Sequence, residues 1–276
     1  MMKYRLVTPG PAMAPEETLL ELAKPIRHHR TAENKALVAE AIAALKQVFA
    51  TQNDVAILTS SGTGAMEMAT ANFVRPGDKT IVLSAGKWGE RWQELNKTFG
   101  ANMVVLKEEY GKTPAPEKLA AALAEHKDAA LVYATLSETS TGIAMDIPAI
   151  GKLVAATGAL LVVDGISGVG AVECRTDEWK IDLLAVGAQK ALMMPPGLAY
   201  LAISAKAKAA YEKKGPPLAY YFHLGSYLKS LADNDTPYTP AHTMIAAQVK
   251  SLRLLLETGM EKIWARTNLM SKALLA

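Results

Sequence analysis

The sequence predicts an α/β fold built on a mostly parallel, mixed sheet of seven strands with helices on both faces. Seven short runs of Val, Ile, Leu and Ala recur along the chain without alternating polar residues. Such runs are typical of strands that are covered on both faces, as in a parallel sheet. Longer helical patterns separate most of the runs, and this alternation predicts helices on both faces of one sheet.

The predicted strands follow one another in regular succession. In order, they are VAILT (55–59), KTIVLS (79–84), NMVVLK (102–107), AALVYAT (129–135), ALLVVD (159–164), DLLAVG (182–187) and LAYLAI (198–203). The helical segment PEKLAAALAEHK begins with a proline, which suits the first turn of a helix. The segments IPAIGKLVAATG and WGERWQELNKTFG end in glycine, which suits the residue that follows a helix.

The composition of the chain changes toward its C-terminal end. From about residue 215 it is rich in Pro, Gly, Tyr and Asp and predicts an ordered loop. A long helical pattern then runs from about residue 241 to the end. We therefore expect an N-terminal arm (1–20), a large ligand-binding domain (21–240) and a terminal helix (241–276).

The composition is that of an ordinary globular protein, with 50% hydrophobic and 21% charged residues among 276. The net charge is +3 and the basic residues are scattered, so no nucleic-acid partner is expected. No apolar run approaches the roughly 18 residues of a membrane helix, so no membrane partner is expected either. The single cysteine, Cys174, allows neither an internal disulfide nor a metal cluster, and it fits a reducing cytoplasm.

Ligands of an open α/β sheet bind beyond the carboxyl ends of its strands, so the residues just after each strand are the candidates. Ser61, Gly62 and Thr63 follow the first strand and lead directly into a helix. The first amides of a helix have no internal partner and carry partial positive charge, which favours a phosphate. The alternative is an ordinary Ser/Thr cap on the helix.

Two ionisable residues follow neighbouring predicted strands. Asp164 ends one strand and Lys190 follows the next, so one crossover brings both to the same crevice. A buried acid needs a partner, and a lysine in a partly apolar site can become a nucleophilic amine. The alternatives are that Asp164 caps the next turn and that Lys190 extends into solvent.

Polar and aromatic side chains follow two further strands. Trp88 stands at a helix start, where its ring could stack on a planar ligand, although a core tryptophan is the commoner role. Glu138, Thr139 and Ser140 offer polar contacts or form a simple turn. Together these groups predict a site for pyridoxal 5′-phosphate. Its phosphate would lie at the helix start and its ring against the tryptophan. A carboxylate would pair with the ring nitrogen and an amine with the aldehyde.

At these residues the chain resembles the class V aminotransferases of fold type I, in particular the alanine–glyoxylate and serine–pyruvate aminotransferase group. The resemblance covers nearly the whole chain, and its segments occur in the order of the family. They are TPGPAMAP (8–15), HHRTAE (28–33), TSSGTGAMEMA (59–69), GKWGER (86–91), LSETSTG (136–142), VVDGISGVG (162–170), GAQKALMMPPG (187–197) and TPYTP (236–240).

The resemblance implies a role for each candidate residue. Lys190 would be the Schiff-base lysine, and Asp164 would pair with the pyridinium nitrogen. Trp88 and Ile166 would lie on the two faces of the ring, and Thr139 would contact its hydroxyl side. Phosphate binding would involve Ser61, Gly62, Thr63 and Gln189, with Thr239 reaching the phosphate of the neighbouring subunit.

The implied enzyme is a cytoplasmic homodimer with active sites at the interface. It would move an amino group from a small amino acid (alanine, serine or aspartate) to a 2-oxo acid such as glyoxylate or pyruvate. Family members continue into a small C-terminal domain with an arginine for the substrate carboxylate, so residues 241–276 are expected to be a linker helix to a domain that this chain lacks.

Two alternatives remain open at this point. One is a pyridoxal-phosphate-dependent lyase resembling the cysteine desulfurases, which usually have histidine where this chain has Gln189 and Trp88. The other is a truncated homologue that binds the cofactor without turnover.

Overall fold

A seven-stranded mixed sheet forms the centre of the computed structural model, which describes residues 5–276. Its strands are β1 (Asp54–Leu58), β2 (Lys79–Ser84), β3 (Asn102–Lys107), β4 (Leu131–Thr135), β7 (Leu160–Asp164), β8 (Leu183–Gly187) and β9 (Ala199–Ile203). A small hairpin, β5 (Ser137–Glu138) with β6 (Ile143–Ala144), follows β4. All seven predicted strands are confirmed, with ends that differ by at most two residues.

The strand order is β1-β9-β8-β7-β4-β2-β3. The last strand, β9, is antiparallel to both of its neighbours, and the other pairs are parallel. Because β1 and β8 both run against β9, they point the same way as β7, β4, β2 and β3. The predicted mixed, mostly parallel sheet is thus confirmed, and the carboxyl ends of six strands meet at one edge.

Helices cover both faces of the sheet, as predicted. They are α1 (Glu16–Leu22), α2 (Ala32–Val48), α3 (Gly62–Phe73), α4 (Lys87–Thr98), α5 (Pro116–Glu125), α6 (Ile147–Ala155), α7 (Ala205–Lys214), α8 (Leu224–Leu231), α9 (His242–Thr258) and α10 (Met260–Leu275). One apolar core lies under α3, α4, α7 and α8, and a second under α2, α5, α6 and α9. Alternate residues of the strands belong to the two cores, which is why the strands are apolar throughout.

Three details differ from the sequence prediction. The predicted loop after residue 215 contains α8, whose first turn is capped by the His223 side chain and whose Tyr227 is buried. The terminal helix is divided at Gly259, which has a positive φ of 88° that favours glycine, so residues 241–276 form two helices. Helix α6 ends at Ala155, before the glycine expected to cap it. The division of the chain at residues 20 and 240 stays a prediction.

The register of the sheet places the ends of its central strands side by side. Thr135 of β4 pairs with Asp164 of β7, which pairs in turn with Ala185 of β8. The loops that leave these strands therefore start next to one another and share one crevice. Within residues 5–276, no helix is both long and apolar enough to cross a membrane.

Candidate active site

The loops at the carboxyl ends of the strands enclose one cavity, and most of the predicted site residues line it. It is lined by Ser61, Gly62, Thr63, Trp88, Arg91, Asp164, Ile166, Ser167, Gln189 and Lys190. Two of the predicted residues, Thr139 and Thr239, are not in this lining. Arg91 and Ser167 also line it, although no sequence pattern predicts them as site residues.

The N-terminus of α3 forms one end of the cavity. Ser61 precedes the helix in an extended conformation, and its side chain makes no capping hydrogen bond. The alternative of an ordinary Ser cap is therefore wrong. A Cβ on Gly62 would come within 2.6 Å of the Ile166 side chain, so a larger residue here would displace Ile166. The first turn thus presents its amides and two hydroxyl side chains to the cavity, an arrangement suited to an anion.

A buried carboxyl group lines the cavity. Asp164 is only 4% exposed, and its Oδ1 accepts a hydrogen bond from the Ile166 amide at 2.8 Å. Burial raises the pKa of this carboxyl to about 7, and the charge of Glu138 adds to the rise. The hydrogen bond from Ile166 and the positive charges of Arg91 and Lys190 oppose it. The acid caps the following turn, as the alternative proposed, but it also lines the cavity. A cationic ring nitrogen beside it would favour the ionised form.

The amine of Lys190 lies in the same cavity. Its side chain is half-buried rather than extended into solvent. Burial lowers the pKa of this amine, and the charge of Asp164 partly offsets that effect. A lowered pKa increases the fraction of neutral amine, which is the form that attacks a carbonyl carbon.

The N-terminal arm covers this lysine. The amide of Ala12 donates to the carbonyl of Gln189 at 2.8 Å. A Cβ on Gly10 would overlap the end of the Lys190 side chain. The segment TPGPAMAP therefore contributes directly to the site, which no local sequence signal had indicated.

Gln189 carries an unpaired polar atom. Its Oε1 is buried and has no hydrogen-bond partner in the part of the chain that the structure describes. Leaving such an atom unpaired costs about 1–3 kcal/mol, so a bound partner is expected. Rotating the amide group by 180° would place its NH₂ donors at this position, where they suit an anionic phosphate oxygen.

Helix α4 presents a tryptophan and an arginine to the cavity. The ring of Trp88 is half-buried, and the guanidinium carbon of Arg91 lies 4.7 Å from its centroid. Arg91 also donates to the Thr63 hydroxyl at 3.1 Å. The core tryptophan of this helix is instead Trp92, which is fully buried. Arg91 could have been found from its i+3 spacing to Trp88, which places both on one helix face.

The last two predicted residues lie outside the cavity. The hydroxyl of Thr139 donates to Ser167 at 2.6 Å, so Thr139 contacts a residue of the lining. Thr239 is exposed and lines a separate small cavity with Thr59 and Tyr238. Its predicted role requires a second subunit and stays a prediction.

Chemistry rather than size distinguishes this cavity. Its volume is about 110 Å³, whereas a cavity of about 400 Å³ lies between α2 and the start of α9 and one of about 560 Å³ lies beside α10. A third larger cavity, of about 540 Å³, lies beside α8. Among the described residues, none of these three is lined by a buried carboxylate. A lysine, a buried acid, a helix N-terminus and a half-buried ring are the groups that pyridoxal phosphate requires, so the residues present fit this cofactor.

Comparison with known proteins agrees with this chemistry. A family model described as Aminotransferase class-V matches residues 14–276. The chain belongs to the class-V aminotransferase family. Its fold is that of the fold type I enzymes, and it is a pyridoxal-phosphate-dependent aminotransferase.

Three similar proteins illustrate the range of the family. A protein named soluble hydrogenase 42 kDa subunit, from Anabaena cylindrica, is 40% identical over 96% of this chain and 70% of its own length. The serine–glyoxylate aminotransferase of Methylorubrum extorquens is 32% identical over 98% of this chain and 70% of its own. The structure of alanine–glyoxylate aminotransferase from Nostoc sp. superposes with a TM-score of 0.91 at 27% identity, covering 96% of this chain and 71% of that one.

Proposed function

We propose that this aminotransferase moves an amino group from a small amino acid, such as alanine, serine or aspartate, to a small 2-oxo acid such as glyoxylate or pyruvate. The observation that carries the proposal is that Lys190 and the buried Asp164 line one cavity at the N-terminus of α3. The names of the similar serine–glyoxylate and alanine–glyoxylate aminotransferases support this substrate class. The single cysteine gives no set of thiolate ligands for an iron–sulfur cluster, so nothing in the chain favours hydrogenase chemistry.

The cofactor would be held along the length of the cavity. The amides and hydroxyls of Ser61 to Thr63 would bind its phosphate together with Gln189. Trp88 and Ile166 would lie against the two faces of its ring. When bound, pyridoxal phosphate supplies an aldehyde that combines with amines and a ring that accepts electron density from the substrate α-carbon.

Asp164 would keep the ring nitrogen protonated. Its carboxylate is buried. Because water is largely excluded there, an ion pair with a cationic ring nitrogen is much stronger than in water. The pKa of about 7 belongs to the carboxyl without that partner. We expect pairing to lower this pKa and to keep Asp164 ionised throughout the reaction.

Lys190 would move the proton that the reaction requires. Its Nζ is the group that would hold the cofactor. As a neutral amine it would accept the proton of the substrate α-carbon and act as the acid that returns it. The pKa of Lys190, lowered by burial, favours this neutral form.

The enzyme would act as a homodimer, with Thr239 of one subunit reaching the phosphate site of the other. The position of Thr239 supports this arrangement, because it is exposed and lies outside the cavity of its own chain. We also propose a cytoplasmic location, which the single cysteine supports.

Product analysis tests the proposed reaction. We expect the purified chain to convert L-alanine to pyruvate, or L-serine to hydroxypyruvate, only when glyoxylate is supplied, with one equivalent of glycine formed. L-Serine with pyruvate should likewise give hydroxypyruvate and one equivalent of alanine. A lyase would release ammonia and pyruvate from serine without an acceptor. Bound cofactor with no product under either condition would identify a chain that binds pyridoxal phosphate without turnover.

A further inference from the structure

Glu138 is a fully buried acid at the edge of the active site. It lies on β5 directly after the central strand β4, and its exposure is 0%. A buried carboxylate is costly unless hydrogen bonds or opposite charge compensate it. The contacts of Glu138 therefore indicate why an acid is needed at this position.

The carboxylate of Glu138 joins two segments that are distant in sequence. Its Oε2 accepts hydrogen bonds from the amides of Trp88 at 3.0 Å and Gly89 at 3.2 Å. Its Oε1 accepts from the Ser140 hydroxyl at 2.6 Å and from the Ser140 amide at 3.3 Å. Each oxygen of the Glu138 carboxylate therefore accepts two hydrogen bonds.

This carboxylate supplies the cap that α4 lacks within its own sequence. The residue before the helix is Gly86, which has no side chain to cap it. A Cβ there would come within 2.6 Å of the Glu138 carboxyl carbon, so glycine leaves room for the acid. The free amides and partial positive charge of the first helical turn compensate the buried negative charge.

We propose that Glu138 is a positioning residue that holds the indole of Trp88 in the cofactor cavity. It does so by tying the backbone of residues 88 and 89 to the end of β4, the strand next to the one that carries Asp164. Residue 88 is the second residue of α4, and helix ends fray unless they are capped. The inference rests on the proposed placement of the cofactor ring against Trp88.

The test replaces Glu138 with its neutral isostere. In Glu138→Gln one of the two oxygens becomes an NH₂ group, which cannot accept the hydrogen bonds made there. We expect pyridoxal phosphate to bind about tenfold more weakly, as for the loss of one charge-assisted hydrogen bond. The visible circular dichroism of the bound cofactor should weaken as well, because it depends on a fixed aromatic neighbour.

Two further variants complete the comparison. Glu94→Gln removes an exposed charge from the same helix and should bind the cofactor with wild-type affinity. Ser140→Ala removes one donor from Oε1 and the acceptor of the Lys87 amide, but leaves the contacts of Trp88 and Gly89 with Glu138 intact. It should weaken binding in the same direction by about two- to fivefold, because Oε2 still holds residues 88 and 89, and it keeps the test usable if Glu138→Gln does not fold.

A double-mutant cycle separates positioning from a general structural role. If Glu138 acts through Trp88, Glu138→Gln should weaken binding by less than about twofold in a Trp88→Ala background, since the group it positions is gone. An equal loss in both backgrounds would overturn the proposal, and so would wild-type affinity and circular dichroism in Glu138→Gln alone. If Trp88→Ala binds cofactor normally, the placement of the ring against Trp88 is wrong and the proposal falls with it.

Discussion

The backbone of Gly10 lies against the side chain of Lys190, so closely that a Cβ at residue 10 would overlap the end of that side chain. The arm is fixed nearby by the hydrogen bond from the Ala12 amide to the Gln189 carbonyl. A segment from the start of the chain therefore limits where the active-site amine can lie.

Replacing Gly10 with alanine should displace this amine. We expect Gly10→Ala to bind pyridoxal phosphate about tenfold more weakly, because the overlap forces the amine from its position and misplacement of a reacting group is costly. Borohydride labelling of Lys190, followed by mass spectrometry across a cofactor titration, measures the effect. Gly158→Ala is the matched control, since a Cβ there meets no atom within 4 Å. Wild-type labelling in Gly10→Ala would show that the arm does not control the lysine.

Replacing Lys190 should abolish the covalent link to the cofactor. We expect Lys190→Ala to lose the visible absorbance band that borohydride removes, because no other lysine within residues 5–276 lines the cavity. Lys87→Ala removes an exposed lysine from the start of α4 and should keep the band. If a reducible band persists in Lys190→Ala, another lysine holds the cofactor.

The buried carboxyl of Asp164 should make the stability of the cofactor-free protein depend on pH. Its pKa is about 7 in the folded chain and 3.8 ordinarily, so between these values the folded chain binds the proton more tightly. The free energy of unfolding should therefore fall as pH rises through this window, by about 2–3 kcal/mol between pH 5 and pH 8.

Urea unfolding at the two pH values measures this dependence. Asp164→Asn is the control, because an amide oxygen can still accept the Ile166 hydrogen bond but does not titrate. The difference between the wild type and this variant isolates Asp164 from other titrating groups. An identical pH dependence in both proteins would mean that burial does not raise the pKa of Asp164.

Mixed dimers test whether Thr239 acts in the neighbouring subunit. We expect Thr239→Ala dimers to need about fivefold more cofactor for half-maximal labelling of Lys190, in line with the loss of one hydrogen bond. In a dimer of one Thr239→Ala chain and one Lys190→Ala chain, the remaining Lys190 faces an intact Thr239 across the interface. Wild-type affinity at that site is expected, whereas the weaker affinity of the Thr239→Ala dimer would place Thr239 in its own chain's site.

Much of the site could be predicted because it follows strand ends. Asp164 and Lys190 stand where apolar strands stop, and strand ends are visible as abrupt changes of composition. Ser61, Gly62 and Thr63 stand where a strand gives way to a helix, which is an equally local signal. Parallel strands end at the same edge of the sheet. Residues recognised from local patterns could therefore be assigned to one site.

Contacts between distant segments could not be predicted in the same way. The covering of Lys190 by Gly10 joins residues 180 positions apart, and nothing in either segment indicates the other. The capping of α4 by Glu138 depends on where β4 ends relative to β2, which is a property of the assembled sheet. Helix α8 was missed because burial of Tyr227 outweighs a local composition typical of loops.

The sequence by itself determined the seven strands, the helices between them and most of the residues of the cofactor site. Strands buried on both faces are recognisable as apolar runs, and the polar residues that end them are recognisable from the change in composition. Only the tertiary structure decided the strand order, the reversed direction of β9, the pKa of about 7 at Asp164 and the partners of Glu138 and Lys190. These features depend on solvent exclusion and on packing between segments far apart in the chain, and both arise only when the whole sheet and its helices are in place.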